Sequence, residues 1–310
     1  MKITRRNLLK AGTGLALLPP VRFITQDRAP KTRLILLGTA GGPSPKKNRA
    51  APSQVIVSGD AAFVVDCGNG VARQLALADV PLRNIRRVFI THHHSDHNAD
   101  YGTLLLLAWS SGLVTRVDTY GPPPLVRITK LFLEMSAPDI SVRRVDEGRP
   151  PLEPLIHVHE LTEGGAVTED RDIRVRCAVV EHPLVSPAFA YRFDAPDRSI
   201  VISGDTAKSD NLIALARKAD ILVHETLYSP AIDAIAGRGP GSVELRKHLV
   251  NSHASVEEVG RIAAEAQVGT LVLSHFVPGE IPAVTDEMWL AGARKHFAGR
   301  IIVGRDLLEV

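Results

Sequence analysis

The chain lacks several features that mark simple protein classes. It has only two cysteines in 310 residues, Cys67 and Cys177, which excludes a disulfide framework and a thiolate metal site. We find no solenoid repeat and no low-complexity tract. The apolar run at residues 11–18 is far below the ~20 residues that a membrane-spanning helix needs, so no integral membrane span is expected. Each cysteine lies in an apolar, strand-like segment, so we expect buried free thiols, while a single bridge between them stays open.

The sequence also lacks a large excess of charge of one sign outside its N-terminus. The formal charge is +3, but residues 1–30 carry six basic residues against one acidic residue, so the rest of the chain is about −2. The chain after residue 30 therefore has no overall positive potential that would attract a polyanion. Any anionic substrate must therefore be bound by local groups.

Residues 1–30 have the pattern of an export signal. Arg5 and Arg6 are followed by Asn-Leu-Leu, a short apolar run and a Pro-Pro break, which resembles a twin-arginine signal. We therefore expect an exported, periplasmic or extracellular protein, with residues 1–30 as leader and residues 31–310 as a single folded domain. An uncleaved anchor stays open because no clear cleavage site follows.

Short apolar segments alternate with helical patterns from Leu34 onward. Most of the strand-like segments are too uniformly apolar to have one solvent-exposed face, so we expect them in sheets that helices cover. We predict an α/β fold in which two βα-rich halves pack as a four-layer αββα sandwich. One helix is predicted over residues 125–135. Residues 138–172 and 229–252 look less regular, and residues 237–241 are predicted to form a mobile loop.

The strongest chemical signal is a histidine-rich run that follows an apolar strand. His92, His94, Asp96 and His97 come directly after Val-Phe-Ile-Thr at residues 88–91. On a turn at a strand end, His92 and His94 can reach one ion while Asp96 and His97 reach a second ion a few ångströms away. Imidazole and carboxylate ligands suit zinc, with manganese or iron as alternatives.

Three further polar residues repeat this context of an apolar strand that ends in a ligand. They are His182, Asp205 and His275. Asp205 is suited to bridge both ions, and Gly204 before it permits a tight turn that points the carboxylate inward. The sequence therefore predicts two divalent metal ions bound by His92, His94, Asp96, His97, His182, Asp205 and His275.

The order of these motifs resembles the metallo-β-lactamase superfamily over residues 34–310. The segments Asp66-Cys-Gly, Asp-Ile-Leu-Val-His-Glu-Thr at residues 220–226 and Ser-His-Ala-Ser at residues 252–255 are similar to the ribonuclease Z and arylsulfatase branch. The resemblance implies an αββα fold that binds two zinc ions. One ion would be bound by His92, His94 and His182, and the other by Asp96, His97 and His275.

The resemblance also implies roles for catalytic residues. Asp96 would hold the nucleophilic water or take its proton. Glu225 and His253 would act together beside the metals, either by protonating the leaving group or by orienting a ligand. We therefore expect a dinuclear hydrolase of phosphodiester or related ester bonds. Arylsulfatase, lactonase and β-lactamase activities stay open, as does a metal-binding module without turnover.

The sequence carries weaker indications about substrate and partners. We see no Gly/Pro-rich basic arm for holding tRNA, and export would take the enzyme away from tRNA, so a small-molecule ester is the expected substrate. A homodimer stays open. Pocket-wall aromatic residues are expected among Trp109, Tyr228, Phe276 and Trp289, with Tyr228 and Phe276 favoured. Lys46 is interpreted as part of a solvated basic loop, and His248 as a surface or core residue.

Overall fold

The structure, a computed structural model, describes residues 32–169 and 173–310, and the predicted leader lies outside the described residues. The described part contains fourteen strands and nine α-helices. The strands are β1 Arg33–Gly38, β2 Ser53–Ser58, β3 Ala61–Val65, β4 Ile85–Phe89, β5 Val117–Gly121, β6 Ile156–Glu160, β7 Gly165–Glu169, β8 Arg174–Val180, β9 Ala188–Asp194, β10 Ser199–Ile202, β11 Ile221–Leu227, β12 Thr270–Val277, β13 Arg300–Val303 and β14 Leu308–Glu309. The helices are α1 Val71–Leu77, α2 Ser95–Asn98, α3 Tyr101–Ser110, α4 Leu125–Asp146, α5 Asp210–Ala216, α6 Ile232–Ala236, α7 Ser242–Ser252, α8 Val256–Ala266 and α9 Asp286–Arg294.

The strands form two seven-stranded mixed sheets. The first has the order β14-β1-β2-β3-β4-β5-β6, and the second has the order β13-β12-β11-β10-β9-β8-β7. In the first sheet β3, β4, β5 and β6 pair in parallel, and in the second β10, β11, β12 and β13 do so. The carboxyl ends of parallel strands share one edge of a sheet, so polar residues that follow these strands come together.

Alternating residues of each sheet pack against helices and against the other sheet. In β1, Leu34 and Leu36 belong to the core between the sheets, whereas Ile35 and Leu37 pack with the helices of the first sheet. A third core joins the second sheet to α5, α8 and α9. Both faces of the sheets are thus buried, which explains the uniformly apolar strands and confirms the predicted αββα sandwich.

Two stretches that look irregular in the sequence contain helix. The helix predicted over residues 125–135 continues to Asp146 and passes through Pro138. Ion pairs from Arg143 to Asp139 and Glu147 stabilise its exposed second half. The stretch 229–252 contains α6 and α7, which are separated by a short segment in which Gly237 and Gly241 have positive φ.

The two cysteines are free and buried, and burial raises the pKa of both thiols. The open alternative of a bridge between them is therefore wrong in this structure. Within the described part of the chain, no helix is both long and apolar enough to cross a membrane.

Candidate metal centre

The predicted ligands come from four strand ends and one short helix. His92 and His94 lie in the turn after β4, and α2 carries Asp96 and His97. The remaining three follow or end strands of the second sheet: His182 follows β8, Asp205 follows β10, and His275 lies in β12. The structure brings all seven side chains together, and six of them are buried while His94 is partly exposed.

Backbone geometry directs two of these side chains inward. Gly204 has a φ of 60°, and a Cβ atom there would lie 2.7 Å from the carbonyl oxygen of Phe189, so the tight turn before Asp205 requires glycine. His275 also has a positive φ, 45°, at a register shift between β11 and β12. Such a bulge re-aims a side chain, and the left-handed backbone of a non-glycine residue is characteristic of functional sites.

Four side chains form a first cluster: His92, His94, His182 and Asp205. The Nδ1 atom of His94 lies 3.0 Å from His92 Nε2 and 3.2 Å from His182 Nε2. Nitrogen ligands of a tetrahedral zinc ion are about 3.3 Å apart, given Zn–N bonds of about 2.0–2.1 Å. The three imidazoles therefore have the spacing of a metal site.

Three side chains form a second cluster: Asp96, His97 and His275. Asp205 lies between the two clusters. Its Oδ1 atom is 3.3 Å from His97 Nε2 and 3.2 Å from His275 Nε2, whereas its Oδ2 atom is 3.9 Å from His92 Nε2. The two oxygens of one carboxylate thus face different clusters.

Hydrogen bonds fix the tautomers of two histidines. His97 donates from Nδ1 to Asp66 Oδ2 at 2.8 Å, and His182 donates from Nδ1 to the carbonyl oxygen of Ser252 at 3.1 Å. Because these acceptors require a proton on Nδ1, Nε2 is the atom of each ring that would bind a metal. His93 points elsewhere and donates to the carbonyl oxygen of Pro122 at 2.8 Å.

A buried oxygen at the centre has no donor. Asp205 Oδ1 finds no hydrogen-bond partner among the residues that the structure describes. An unpaired buried carboxylate oxygen is costly, whereas a cation compensates it fully. The residues present therefore fit divalent metal ions.

The electrostatics of the two clusters also favour cations. Burial raises the pKa of Asp96, but His97 and His275 outweigh it and lower the pKa to about 2. Burial lowers the pKa of His182 to about 4. At neutral pH these two side chains are therefore an anion and a neutral imidazole, which are the forms that bind metal. Burial lowers the pKa of His97, yet Asp205 and Asp66 raise it well above its usual value, which shows that positive charge is stabilised there.

Glu225 and His253 form a buried pair beside the clusters. His253 Nδ1 lies 3.4 Å from Glu225 Oε1 and 4.0 Å from Asp205 Oδ2. Glu225 Oε1 also accepts the backbone N–H of Ala254 at 2.9 Å, which fixes the carboxylate. Burial lowers the pKa of His253, but Glu225 and Asp205 raise it to about 9, so the ring carries a proton at neutral pH in the absence of cations.

A cavity of about 480 Å³ opens onto both clusters. Five polar side chains of the centre line it: His94, Asp96, Asp205, His253 and His275. Lys46 lies in its wall and forms an ion pair with Glu280 at 2.9 Å, so the interpretation of Lys46 as solvated is wrong.

The four predicted pocket-wall aromatic residues do not line this cavity. Trp109, Phe276 and Trp289 are at most 2% exposed, and Tyr228 packs against the core that contains Phe276 and Trp289. The prediction was wrong because nearness in sequence to Glu225 and His275 does not determine which sheet face a side chain occupies.

Sequence reasoning also missed two residues. His248, on α7, lines the cavity with its ring centroid 5.8 Å from those of His94 and His182. Asp66, whose segment supported the family resemblance, binds His97. The order Asp-Cys-Gly directly after β3 was the available signal for Asp66, whereas His248 had none apart from its nearness to His253.

Comparisons with known proteins agree with this geometry. The family model for the β-lactamase superfamily domain matches residues 62–276. Ribonuclease Z of Mycobacterium bovis (strain BCG / Pasteur 1173P2) is 36% identical over 281 residues, which cover 89% of this chain and 97% of that protein. Ribonuclease Z of Mycobacterium marinum is 35% identical over 281 residues, with 89% and 97% covered.

Solved structures show the same fold. Human tRNase Z, short form, has a TM-score of 0.66 at 22% identity and covers 90% of this chain and 98% of its own. Zinc-bound PqqB of Methylobacterium extorquens has a TM-score of 0.66 at 16% identity, with 90% and 99% covered.

These relatives overturn two expectations. The expectation that the substrate is a small-molecule ester and not tRNA is wrong, because proteins named ribonuclease Z match nearly the whole chain. The expectation of an exported, periplasmic or extracellular protein is wrong as well, because the same ribonuclease Z relatives contradict it. The arylsulfatase alternative and the twin-arginine interpretation gain no support from these relatives.

The family match covers more than half of the chain, and the ribonuclease Z relatives exceed 30% identity over almost their whole length. The chain belongs to the metallo-β-lactamase superfamily and is a hydrolase similar to ribonuclease Z.

Proposed function

We propose that this protein is a two-metal phosphodiesterase that hydrolyses RNA, with a tRNA precursor as its substrate. The observation that carries the proposal is the position of Asp205, whose two carboxylate oxygens face separate clusters of buried histidines. This arrangement is typical of two-metal hydrolysis of phosphodiesters. The names of the ribonuclease Z relatives support RNA as the substrate class.

The seven predicted ligands would bind two divalent cations, for which zinc is the best fit to the imidazole and carboxylate set. His92, His94 and His182 would bind one ion, Asp96, His97 and His275 the other, and Asp205 both. When bound, such ions would supply Lewis-acid chemistry: they would polarise a phosphoryl oxygen and lower the pKa of a water far enough for hydroxide to form near neutral pH.

Asp96 would receive the proton of the attacking water. Its Oδ2 atom accepts the backbone N–H of Gly42 at 3.1 Å and lies 3.4 Å from His275 Nε2. The carboxylate is thereby fixed at the cavity surface, and its low pKa keeps it ionised before reaction.

His253 would protonate the departing ribose oxygen, while Glu225 holds the ring and compensates its charge. The cavity exposes His253 to a bound substrate, and the 3.4 Å contact with Glu225 stabilises the protonated form. This is general acid catalysis by a histidine oriented by a carboxylate.

The proposal is tested by metal analysis of the purified protein, followed by assays on a tRNA precursor, a nitrophenyl phosphodiester and a nitrophenyl sulfate. We expect about two metal ions per chain and cleavage of the tRNA precursor. Preferential hydrolysis of the sulfate would contradict a phosphodiesterase. A metal-loaded protein that cleaves none of the three would instead be a binding module.

A further inference from the structure

A second, much smaller cavity lies between the two sheets, next to the candidate metal centre. Its volume is about 20 Å³, and every residue that lines it is buried. Gln54 of β2 lies on the side of the first sheet, whereas Glu225 of β11 and Ser274 of β12 lie on the side of the second. Three members of the clusters line it as well: His97, Asp205 and His275. The small cavity is therefore in the interior of the sandwich, where both sheets meet the metal centre.

Three side-chain oxygens of this lining have no hydrogen-bond partner among residues 32–169 and 173–310. They are Gln54 Oε1, Glu225 Oε2 and Ser274 Oγ. Their residues are at most 4% exposed, so solvent at the protein surface does not reach these atoms. An unpaired buried polar atom is costly, and nearly all such atoms in folded proteins are paired. Three of them around one cavity indicate that a polar ligand binds there.

Two further unpaired atoms belong to cluster residues of this lining, and each faces another group. Asp205 Oδ1 lies 3.2 Å from His275 Nε2, within the second cluster. A Cβ atom at Gly41 would lie 2.9 Å from His275 Nδ1, and Gly41 lines the large cavity. The small cavity therefore has three oxygens to satisfy, none of which belongs to a predicted metal ligand.

The size and the chemistry of the small cavity suit one water molecule. A buried water needs about 10–15 Å³ of such space and typically makes about three hydrogen bonds, so a volume of about 20 Å³ accommodates one. Gln54 Oε1 and Glu225 Oε2 are acceptors, whereas the hydroxyl of Ser274 can donate. This set matches the two hydrogens and one lone pair of a single water.

We propose that this cavity binds one water molecule, which donates to Gln54 Oε1 and Glu225 Oε2 and accepts the hydroxyl hydrogen of Ser274. The water joins the first sheet to two strands of the second. Glu225 Oε1 already accepts the backbone N–H of Ala254 at 2.9 Å, so the water completes the set of contacts that orients this carboxylate toward His253. The positioning of Glu225 rests on the proposed function, whereas the water site itself does not.

A high-resolution crystal structure of the metal-loaded protein tests the site. We expect a density peak in the small cavity at about 2.5–3.0 Å from each of the three oxygens. A second crystal, grown with rubidium in place of sodium and potassium, distinguishes water from a monovalent cation, because rubidium gives an anomalous signal. An anomalous peak in the cavity, or a cavity without density, would overturn the proposal.

The variants Ser274→Ala and Gln54→Met test the site in solution. Each removes a hydrogen bond to the water and should lower the apparent melting temperature of the metal-loaded protein by about 2 °C. Without a bound water, each variant would only remove an unpaired buried polar atom, so the melting temperature would stay the same or rise. That result in both variants, at wild-type metal content, would contradict the water site.

Ser53→Ala is the matched control for these variants. The hydroxyl of Ser53 is also buried and has no partner in the described part of the chain, but Ser53 does not line the small cavity. Removal of this hydroxyl breaks no hydrogen bond to the proposed water, so the melting temperature should not fall. A decrease equal to that of Ser274→Ala would show that the cavity is not the cause.

The orientation of Glu225 has a kinetic readout. In Ser274→Ala and Gln54→Met, kcat should fall severalfold on phosphodiesters with poor leaving groups, with KM unchanged, and should change little on those with good leaving groups. Wild-type kcat on both kinds of substrate would overturn the positioning role. Failure of the wild-type enzyme to hydrolyse any phosphodiester would overturn the proposed function, whereas the crystal structure decides the water site independently.

Discussion

The carboxylate of Asp66 joins the backbone turn after β4 to the second cluster. It accepts the Nδ1 hydrogen of His97 at 2.8 Å and the backbone N–H of Thr91 at 2.8 Å. Since His92 follows Thr91 directly, Asp66 positions residues of both clusters without reaching either metal site.

Replacing Asp66 should therefore weaken metal binding. The variant Asp66→Asn loses the charged acceptor that fixes the His97 tautomer, and metal affinity should fall about 10- to 100-fold. A zinc competition titration measures this change. Asp60→Asn, an exposed acidic residue in the turn before β3, serves as control and should bind zinc as wild type. Unchanged zinc affinity in Asp66→Asn would show that His97 is oriented by other contacts.

Removal of the shared carboxylate should be the most damaging single change. Asp205→Ala should lose most bound metal and reduce turnover by orders of magnitude, because neither cluster keeps its central anion. Circular dichroism should show an intact fold, since the cores lie in the sheets and helices. Asp210→Ala, exposed in the first turn of α5, should retain metal and activity. Wild-type metal content and turnover in Asp205→Ala would refute the assignment.

His253 and Glu225, the buried pair beside the two clusters, should control departure of the leaving group. His253→Ala should keep its metal and slow substrates with poor leaving groups by about 10²- to 10⁴-fold, whereas aryl phosphodiesters with good leaving groups should change far less. Glu225→Gln should act in the same direction because the ring loses its charged partner. The exposed His296 provides the control variant His296→Ala. Equal slowing of both substrate types would argue against proton donation.

The surface carboxylate of Asp220 should make the free energy of unfolding depend on pH. Asp220 Oδ2 accepts the backbone N–H and the hydroxyl of Ser199, each at 2.7 Å, and these hydrogen bonds lower the pKa of Asp220 below 3.8. A lowered folded-state pKa gives stability that is present above pH 3.8 and is lost as the pH falls through the folded value. Asp220→Asn should therefore lower the free energy of unfolding at pH 7 by up to about 0.5 kcal/mol, because Asp220 is exposed and solvent screens its charge.

Urea denaturation of wild type and Asp220→Asn at pH 7, 5 and 3 measures this dependence. The difference between the two proteins should be largest at pH 7 and 5 and should shrink at pH 3. A difference that does not vary with pH would mean that charge on Asp220 does not contribute.

The fold and the seven candidate ligands could be predicted because their signals are local. Each strand is a short apolar run. Most of the ligands lie just after such a run ends, and His275 lies at a bulge within its strand. The same reasoning predicted the tight turn at Gly204, whose positive φ the structure shows. Proximity of these residues then follows from the shared edge of parallel strands.

Other features depend on contacts between distant segments and could not be predicted in this way. His248 reaches the centre only because α7 folds back over the cavity, and no pattern around it indicates that. Pro138 favours a helix end, yet α4 continues through it to Asp146. Composition and the N-terminal pattern led to a substrate expectation that the ribonuclease Z relatives contradict, because overall charge and a leader describe no residue of the cavity.

Ser252, the last residue of α7, links that helix to the candidate metal centre. Its carbonyl oxygen holds His182, its hydroxyl contacts His248, and the next residue is His253. A shift of α7 should therefore reach two side chains of the centre through one backbone segment. Any substitution in α7 that displaces Ser252 should disturb His182 and His253 together.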